Sequence, residues 1–311
     1  CTKFAGIHSD GETITILSCD PHKDSWSSPG PCEKVETTSI QHIKGSVSHC
    51  YHKKSDFIFV VVNNGKPKKN FTQELLTFDA FTGKLQNTIN FGIETTWQFE
   101  DILCDEEEPM LYGTTSIRPV YRKSDQGRQL SKYNIITNKL EHMFYFGNDT
   151  IDVDHYISDK KIMYTHIELN FASKLQIWDV SGTNAKIIDD QLFKAYLAGP
   201  FEPLVGNEDL MMGFVTRDQS KETGVLLVTF DPKNPKKTQT TINDMDPSRY
   251  AGGGEGTWIA QGDSKIVTSQ FVGTMEPSED VVSFTSEGHL IELWAWNLVP
   301  HRLWYCARCN P

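Results

Sequence analysis

The feature that most constrains the fold is a repeated pattern in which an apolar strand runs into a polar turn. The clearest copies are 75–79 followed by 82–85, and 130–134 followed by 137–140. The aromatic anchors of five copies lie 45 to 55 residues apart, and they are Phe78, Tyr133, Trp178, Phe230 and Phe284. A period of this length is typical of one four-stranded blade of a β-propeller.

A second signal precedes each anchor, because a charged bend and a short apolar strand occur there as well. This signal is found at 53–62 and 158–166, and at matching places in three other copies. Two strand-and-turn signals in each period predict four strands per blade. We therefore predict an all-β, six-bladed propeller of four-stranded antiparallel blades, in a single domain. The predicted blades are 41–92, 95–148, 151–192, 198–244, 256–298, and 301–311 together with 1–40.

The last predicted blade combines the two ends of the chain. Residues 303–308 read as one strand, while the first forty residues supply only three. Pairing the C-terminal strand with the N-terminal strands would close the ring and protect sheet edges from pairing with other chains.

Composition restricts the compartment and the partners. The net charge of −11 argues against nucleic acid as a partner, since phosphates need a basic surface. The apolar runs are shorter than a membrane-spanning segment, so we predict a monomer that acts away from membranes. The chain begins at Cys1, and Asn70 and Asn148 begin glycosylation sequons. Together these features predict a secreted, extracellular glycoprotein.

Seven cysteines are candidates for disulfides, and they are Cys1, Cys19, Cys32, Cys50, Cys104, Cys306 and Cys309. Ring closure brings the two chain ends together, which favours a disulfide there. Cys50 and Cys104 occupy equivalent places in neighbouring blades, where they either form a bridge or are buried as small apolar residues. With an odd number, one thiol is left unpaired or bonds to another molecule. The terminal Cys306 and Cys309 lack the second ligand pair of a zinc site.

Function is expected at the mouth of the central channel, where the first strand of each blade begins. Superposing the repeats places an acidic, aromatic and imidazole-bearing set of residues there. Asp152 and Asp154 lie on one side of a strand and His155 on the other, unless a bulge intervenes. The alternative is a purely structural role for these residues, as a capped turn that leads into a packed strand. Glu100 and Asp101 form a second pair of carboxylates, of which strand alternation lets only one face the channel. The alternative is that both lie at a solvated loop end.

The repeats resemble those of quinoprotein-like and YVTN-like propellers, through Phe78-Asp79 with Thr82-Gly83-Lys84. This resemblance implies the strand plan and no activity. In overall outline, a secreted chain of this length with sequons and without cofactor motifs, the sequence also resembles the luciferases of syllid fireworms. That second resemblance implies oxidation of a small heterocyclic luciferin by molecular oxygen with emission of light, and no other cofactor.

Such an oxidation needs a base that deprotonates the substrate, aromatic side chains that exclude water, and a polar group that stabilises the resulting anion. The candidate bases are His155, His49 and His301. The candidate substrate-binding residues are Trp258, Phe99, Arg302, Asp101, Asp154 and Glu202. No metal site is predicted, although an aspartate at the channel could bind a divalent cation.

The alternative is a non-enzymatic carrier or lectin-like propeller that binds a ligand or carbohydrate outside the cell. Repeated weak sites, one in each blade, would indicate such a module because they give avidity. The loops differ between blades, which favours one asymmetric pocket. A structural or adhesive role is a third possibility that the sequence leaves open.

Overall fold

The computed structural model describes the parts of the chain that form its strands and most of their tight turns. These are residues 3–20, 32–40, 47–64, 72–91, 97–117, 127–147, 151–169, 172–193, 196–197, 201–204, 207–216, 225–235, 240–241, 259–262, 265–272, 278–285, 290–294 and 302–306. Within these residues the strands form six antiparallel sheets, named sheets 1 to 6 below.

Sheet 1 contains β1 (Lys3–Ser9), β2 (Thr13–Cys19), β3 (Cys32–Ser39) and the last strand, β25 (Arg302–Cys306). Sheet 2 contains β4 (Val47–His52), β5 (Phe57–Asn64), β6 (Thr72–Asp79) and β7 (Leu85–Asn90). Sheet 3 contains β8 (Trp97–Cys104), β9 (Met110–Ile117), β10 (Arg128–Asn134) and β11 (Lys139–Gly147).

Sheet 4 contains β12 (Ile151–Ile157), β13 (Ile162–Leu169), β14 (Ala172–Asp179) and β15 (Lys186–Phe193). Sheet 5 contains β16 (Tyr196–Leu197), β17 (Glu202–Leu204), β18 (Asn207–Thr216), β19 (Val225–Phe230) and β20 (Thr240–Thr241). Sheet 6 contains β21 (Ile259–Gly262), β22 (Lys265–Val272), β23 (Ser278–Thr285) and β24 (Leu290–Trp294).

The inner strands of sheet 2 are apolar on both faces because this sheet packs between sheets 1 and 3. In β5, Ile58 and Val60 pack against residues of sheet 1, whereas Phe59 and Val61 pack against residues of sheet 3. Successive side chains of a strand point to opposite faces, so a strand between two sheets must be apolar throughout. The chain is an all-β propeller of antiparallel blades, as predicted.

The repeated turn of the sequence connects the last two strands of a blade. The Asp79 carboxylate accepts hydrogen bonds from the N–H groups of Phe81 and Thr82, at 3.0 and 2.7 Å. Gly83 follows with φ +67°, a conformation that favours glycine. A Cβ atom at Gly83 would lie 2.5 Å from Cβ of Glu36. The motif therefore recurs because it builds this turn.

The C-terminal strand completes the sheet that the N-terminal strands begin, because β25 pairs with β1 from Lys3↔Cys306 to Ile7↔Arg302. Two disulfides form within the described residues. Cys19–Cys32 links β2 to β3, and Cys50–Cys104 links β4 of sheet 2 to β8 of sheet 3. Of the two alternatives for Cys50 and Cys104, the bridge across blades is therefore correct. Cys1 and Cys309 lie outside the described residues.

The prediction of four strands in every blade is wrong for sheet 5. Five of the six sheets have four strands, but in sheet 5 both β16 and β17 pair with the ten-residue β18. Two short strands therefore stand where one continuous first strand was predicted, and β16 precedes the predicted blade start at 198.

No helix in the described parts of the chain is long and apolar enough to span a membrane.

Candidate functional site

The first strands of sheets 2, 3 and 4 lie side by side, since β8 contacts both β4 and β12. Side chains of sheet 2 fix the position of β8. Gln73 accepts from the N–H of Phe99 and donates to its carbonyl, both at 2.8 Å, and the Ser48 hydroxyl accepts from the N–H of Ile102 at 2.8 Å. These bonds and the disulfide at Cys104 hold rigidly the strand that carries Glu100 and Asp101.

A β-bulge interrupts each of the two strands that carry the predicted carboxylates. In β8 the pairing with β9 skips Glu100, and in β12 the pairing with β13 skips Asp154. A bulge leaves one residue unpaired and redirects its side chain. The exception that the sequence analysis allowed for β12 therefore occurs, and the same irregularity is found in its neighbour.

The bulge in β12 directs Asp154 onto a histidine of the next strand. The Nδ1 atom of His166 lies 2.9 and 3.0 Å from the two carboxylate oxygens of Asp154, and both side chains are almost fully buried. Burial raises the pKa of Asp154 to about 6, although His166 and the N–H of Phe201 act in the opposite direction. On the other side of the ring, Nε2 of His166 lies 3.6 Å from Oδ2 of Asp152.

Asp152 connects this buried pair to solvent, because its side chain is 42% exposed. The imidazole therefore lies between a buried carboxylate and an exposed one. A proton could pass along this line between the surface and Asp154.

Further negative charge is located on β8. Burial, together with the carboxylates of Asp152 and Glu100, raises the pKa of Asp101 to about 7, although Arg128 acts in the opposite direction. Glu100 is paired with Arg128, with 2.8 Å between Oε2 and Nε. Glu100, Asp101, Asp152, Asp154 and His166 are called the acidic site below.

The structure brings some of the predicted residues together and places others elsewhere. Asp101 and Asp154 belong to the acidic site. His155 is half-buried and lies opposite Tyr164 in the ladder, His49 is half-buried in β4, and Glu202 is half-buried in β17. Phe99 packs in an aromatic cluster with Phe91, Trp97 and Tyr133, away from solvent.

The remaining predicted site residues cannot be placed in the acidic site. Arg302 is described only as part of β25, where it lies opposite Ile7. His301, Trp258, Asn70 and Asn148 lie outside the described residues. Among the residues that the structure does describe, no three His, Cys, Asp or Glu side chains are grouped to hold a metal ion.

His166 and Arg128 are not among the predicted site residues. Counting outward from the turn at 158–161 would place Asp152 opposite Ile167, whereas the bulge at Asp154 shifts the register and sets Asp152 opposite His166. A hairpin count from the sequence therefore could not have identified this pair.

Replacing Asp101 with asparagine should stabilise the protein at pH 8 and have little effect at pH 4. Because its pKa is higher in the folded state than the ordinary value of 3.8, the folded protein binds more protons, and stability falls as pH rises from about 4 to about 7. Asparagine cannot ionise and escapes this loss, which we expect to be about 2–4 kcal/mol. Urea unfolding of both proteins at the two pH values measures it. Asp159→Asn, at an exposed turn residue, is the control, and an equal effect of the two substitutions at pH 8 would contradict the prediction.

Comparison with known proteins supports the fold alone. No protein-family model matches the chain, and no curated protein matches its sequence. The chain is similar to a propeller in the crystal structure of a nidogen/laminin complex, with a TM-score of 0.57 and 10% identity over 97% of this chain and 95% of that one. It is similar to TolB from Acinetobacter baumannii, with a TM-score of 0.61 and 11% identity over 98% of this chain and 66% of that one. It is also similar to an oligogalacturonate lyase in complex with manganese, with a TM-score of 0.52 and 11% identity over 94% of this chain and 77% of that one.

Proposed function

We propose that this protein is a secreted propeller that binds a small heterocyclic molecule at the acidic site, removes a proton from it, and oxidises it with molecular oxygen and emission of light. The observation that carries this proposal is the position of His166 between Asp154 and the exposed Asp152. The oxidation itself is the activity that the resemblance to fireworm luciferases implies.

The proton removal follows from the geometry of the pair. When Nδ1–H of His166 donates to Asp154, the lone pair of the imidazole is left on Nε2, on the side of Asp152. A carboxylate behind a histidine fixes its tautomer and stabilises the imidazolium that forms on proton uptake. A molecule bound beside the exposed Asp152 could thus pass its proton by way of that carboxylate to the buried Nε2. The resulting heterocyclic anion is electron-rich and reacts with oxygen, which is why the base is required.

Secretion is supported by the two disulfides, Cys19–Cys32 and Cys50–Cys104. Disulfides persist in oxidising compartments and are rare in the cytosol. Both bonds are built from cysteines that are buried in the structure.

The experiment that tests the function is to mix the purified protein with fireworm luciferin extract in air and to count photons. Light that depends on both protein and oxygen supports the proposal. Darkness with no change in the absorption spectrum of the extract would refute the oxidation.

The alternative function, a carrier that binds without turnover, is favoured by the charge of the site. Among the described residues, the four carboxyl groups of the site are accompanied by one guanidinium, that of Arg128. This balance disfavours an anionic product and favours a cationic or neutral ligand. Binding of the extract's components, measured by calorimetry, without light or product would support this carrier function.

A further inference from the structure

We propose that the face of sheet 3 directed toward sheet 4 carries a second site that binds a small protonated amine. It is built from Gln98, Thr114 and Ser116 together with Glu100 and Asp101, and is called the amine site. The proposal does not depend on the oxidation. The amine site shares Glu100 and Asp101 with the acidic site, but it does not use His166 and its ligand is different.

The strand register places these side chains on one face. Ser116 lies opposite Gln98 on one side and Arg128 on the other, and Thr114, two residues away, lies opposite Asp101 and Leu130. Residues opposite one another, and those two apart, share a face.

The face in question is the one that meets sheet 4. Leu130 packs in a cluster with Val153 and Met163 of that sheet. The polar row formed by Gln98, Ser116 and Arg128 therefore continues an interface between two sheets.

The polar atoms of this row are buried and unsatisfied. Thr114 and Ser116 are 0% and 2% exposed. Their hydroxyl oxygens, and Oε1 of Gln98, have no hydrogen-bond partner among the residues that the structure describes. A buried polar atom without a hydrogen-bond partner is costly, so three on one face favour a site for a polar ligand.

On the opposite face of the same strands, threonine and serine hydroxyls do have hydrogen-bond partners. The Thr115 hydroxyl lies 2.7 Å from that of Ser131, which lies 2.9 Å from Nδ1 of His142. The neighbours Thr114 and Ser116 have no such arrangement, although they belong to the same strand.

The chemistry of the surrounding groups selects the occupant. Gln98 offers a carbonyl oxygen, the two hydroxyls can accept, and the carboxylates of Glu100 and Asp101 add negative charge that Arg128 offsets only in part. The carboxylates would repel an anion, whereas an ammonium group supplies three hydrogen-bond donors and a positive charge. Ordered water could also satisfy these atoms, and the experiment must separate the two occupants.

The experiment is calorimetric titration with putrescine, and with 1,4-butanediol as its uncharged analogue. We expect the unmodified protein to bind putrescine and not the diol. Thr114→Val keeps the shape of the side chain and removes a buried hydroxyl, so it should weaken putrescine binding about tenfold or more while the midpoint of urea unfolding without ligand stays the same or rises.

Thr115→Val is the matched control, because it removes the satisfied hydroxyl of the opposite face. It should lower the unfolding midpoint and leave putrescine binding unchanged. The proposal is overturned if putrescine does not bind, if the diol binds equally well, or if Thr114→Val binds putrescine as the unmodified protein does. The first of these results would assign the row to ordered water.

Discussion

Replacing Asp105 with alanine should destabilise the protein by about 3–5 kcal/mol, measured as the free energy of unfolding in urea. Asp105 is fully buried in the turn after β8, and its carboxylate lies 2.7 Å from both the Tyr156 hydroxyl and Nζ of Lys161. It also accepts hydrogen bonds from the N–H groups of Glu107 and Glu108. Alanine would remove the acceptor of the buried Tyr156 hydroxyl and of two amides, and Lys161 would keep only Glu108, at 3.0 Å.

The effect should be large because the bonds cross between blades, from sheet 3 to Tyr156 and Lys161 beside sheet 4. Burial alone would raise the pKa of Asp105, but Lys161, the N–H of Glu107 and Tyr156 outweigh it and hold the pKa below its ordinary value. The stabilisation is therefore present above pH 4 and is lost as pH falls through this lowered pKa.

Asp10→Ala is the control for Asp105→Ala. Asp10 also accepts from two turn amides, those of Glu12 and Thr13, but it is exposed, and within the described part of the chain its side-chain hydrogen bonds stay in this turn. A clearly smaller loss is expected for it. Equal losses for the two variants would show that the turn, and not the contact between blades, accounts for the effect.

The strand plan was predictable because each blade uses the same local chemistry. Asp79 and Asn134 each accept from the two amides that follow in the turn, so the side chain that makes the turn is visible in the sequence. The extra strand of sheet 5 was not predictable, since β16 and β17 have only two and three residues. Strands this short carry no hydrophobic period.

The acidic site could be predicted in its residues but not in its geometry. Asp101 and Asp154 were chosen because they begin strands near the channel, and the structure places both in one electrostatic cluster. Which histidine meets Asp154 depends on a bulge, and a bulge shifts a side chain without leaving a composition signal. His155 is adjacent in sequence, yet His166 is the residue in contact.

Replacing His166 with glutamine should lower the rate of light emission from fireworm luciferin by about 10²–10⁴-fold, the usual contribution of a general base. Glutamine has no group that takes up a proton near neutral pH, although its amide can still bond to Asp154. The affinity for luciferin should change much less than the rate, because the carboxylate of Asp152 remains on the exposed side. Stopped-flow photon counting gives the rate, and quenching of tryptophan fluorescence gives the affinity.

His155→Gln tests whether the assignment of the base is correct. His155 lies in the same strand as Asp154 but opposite Tyr164, so this variant should emit at nearly the unmodified rate. Because His166 is 1% exposed, its variant must also give the unmodified circular dichroism spectrum, and Asp154→Asn should reproduce its loss of light. Full emission from a folded His166→Gln protein, or a loss confined to His155→Gln, would remove His166 as the base.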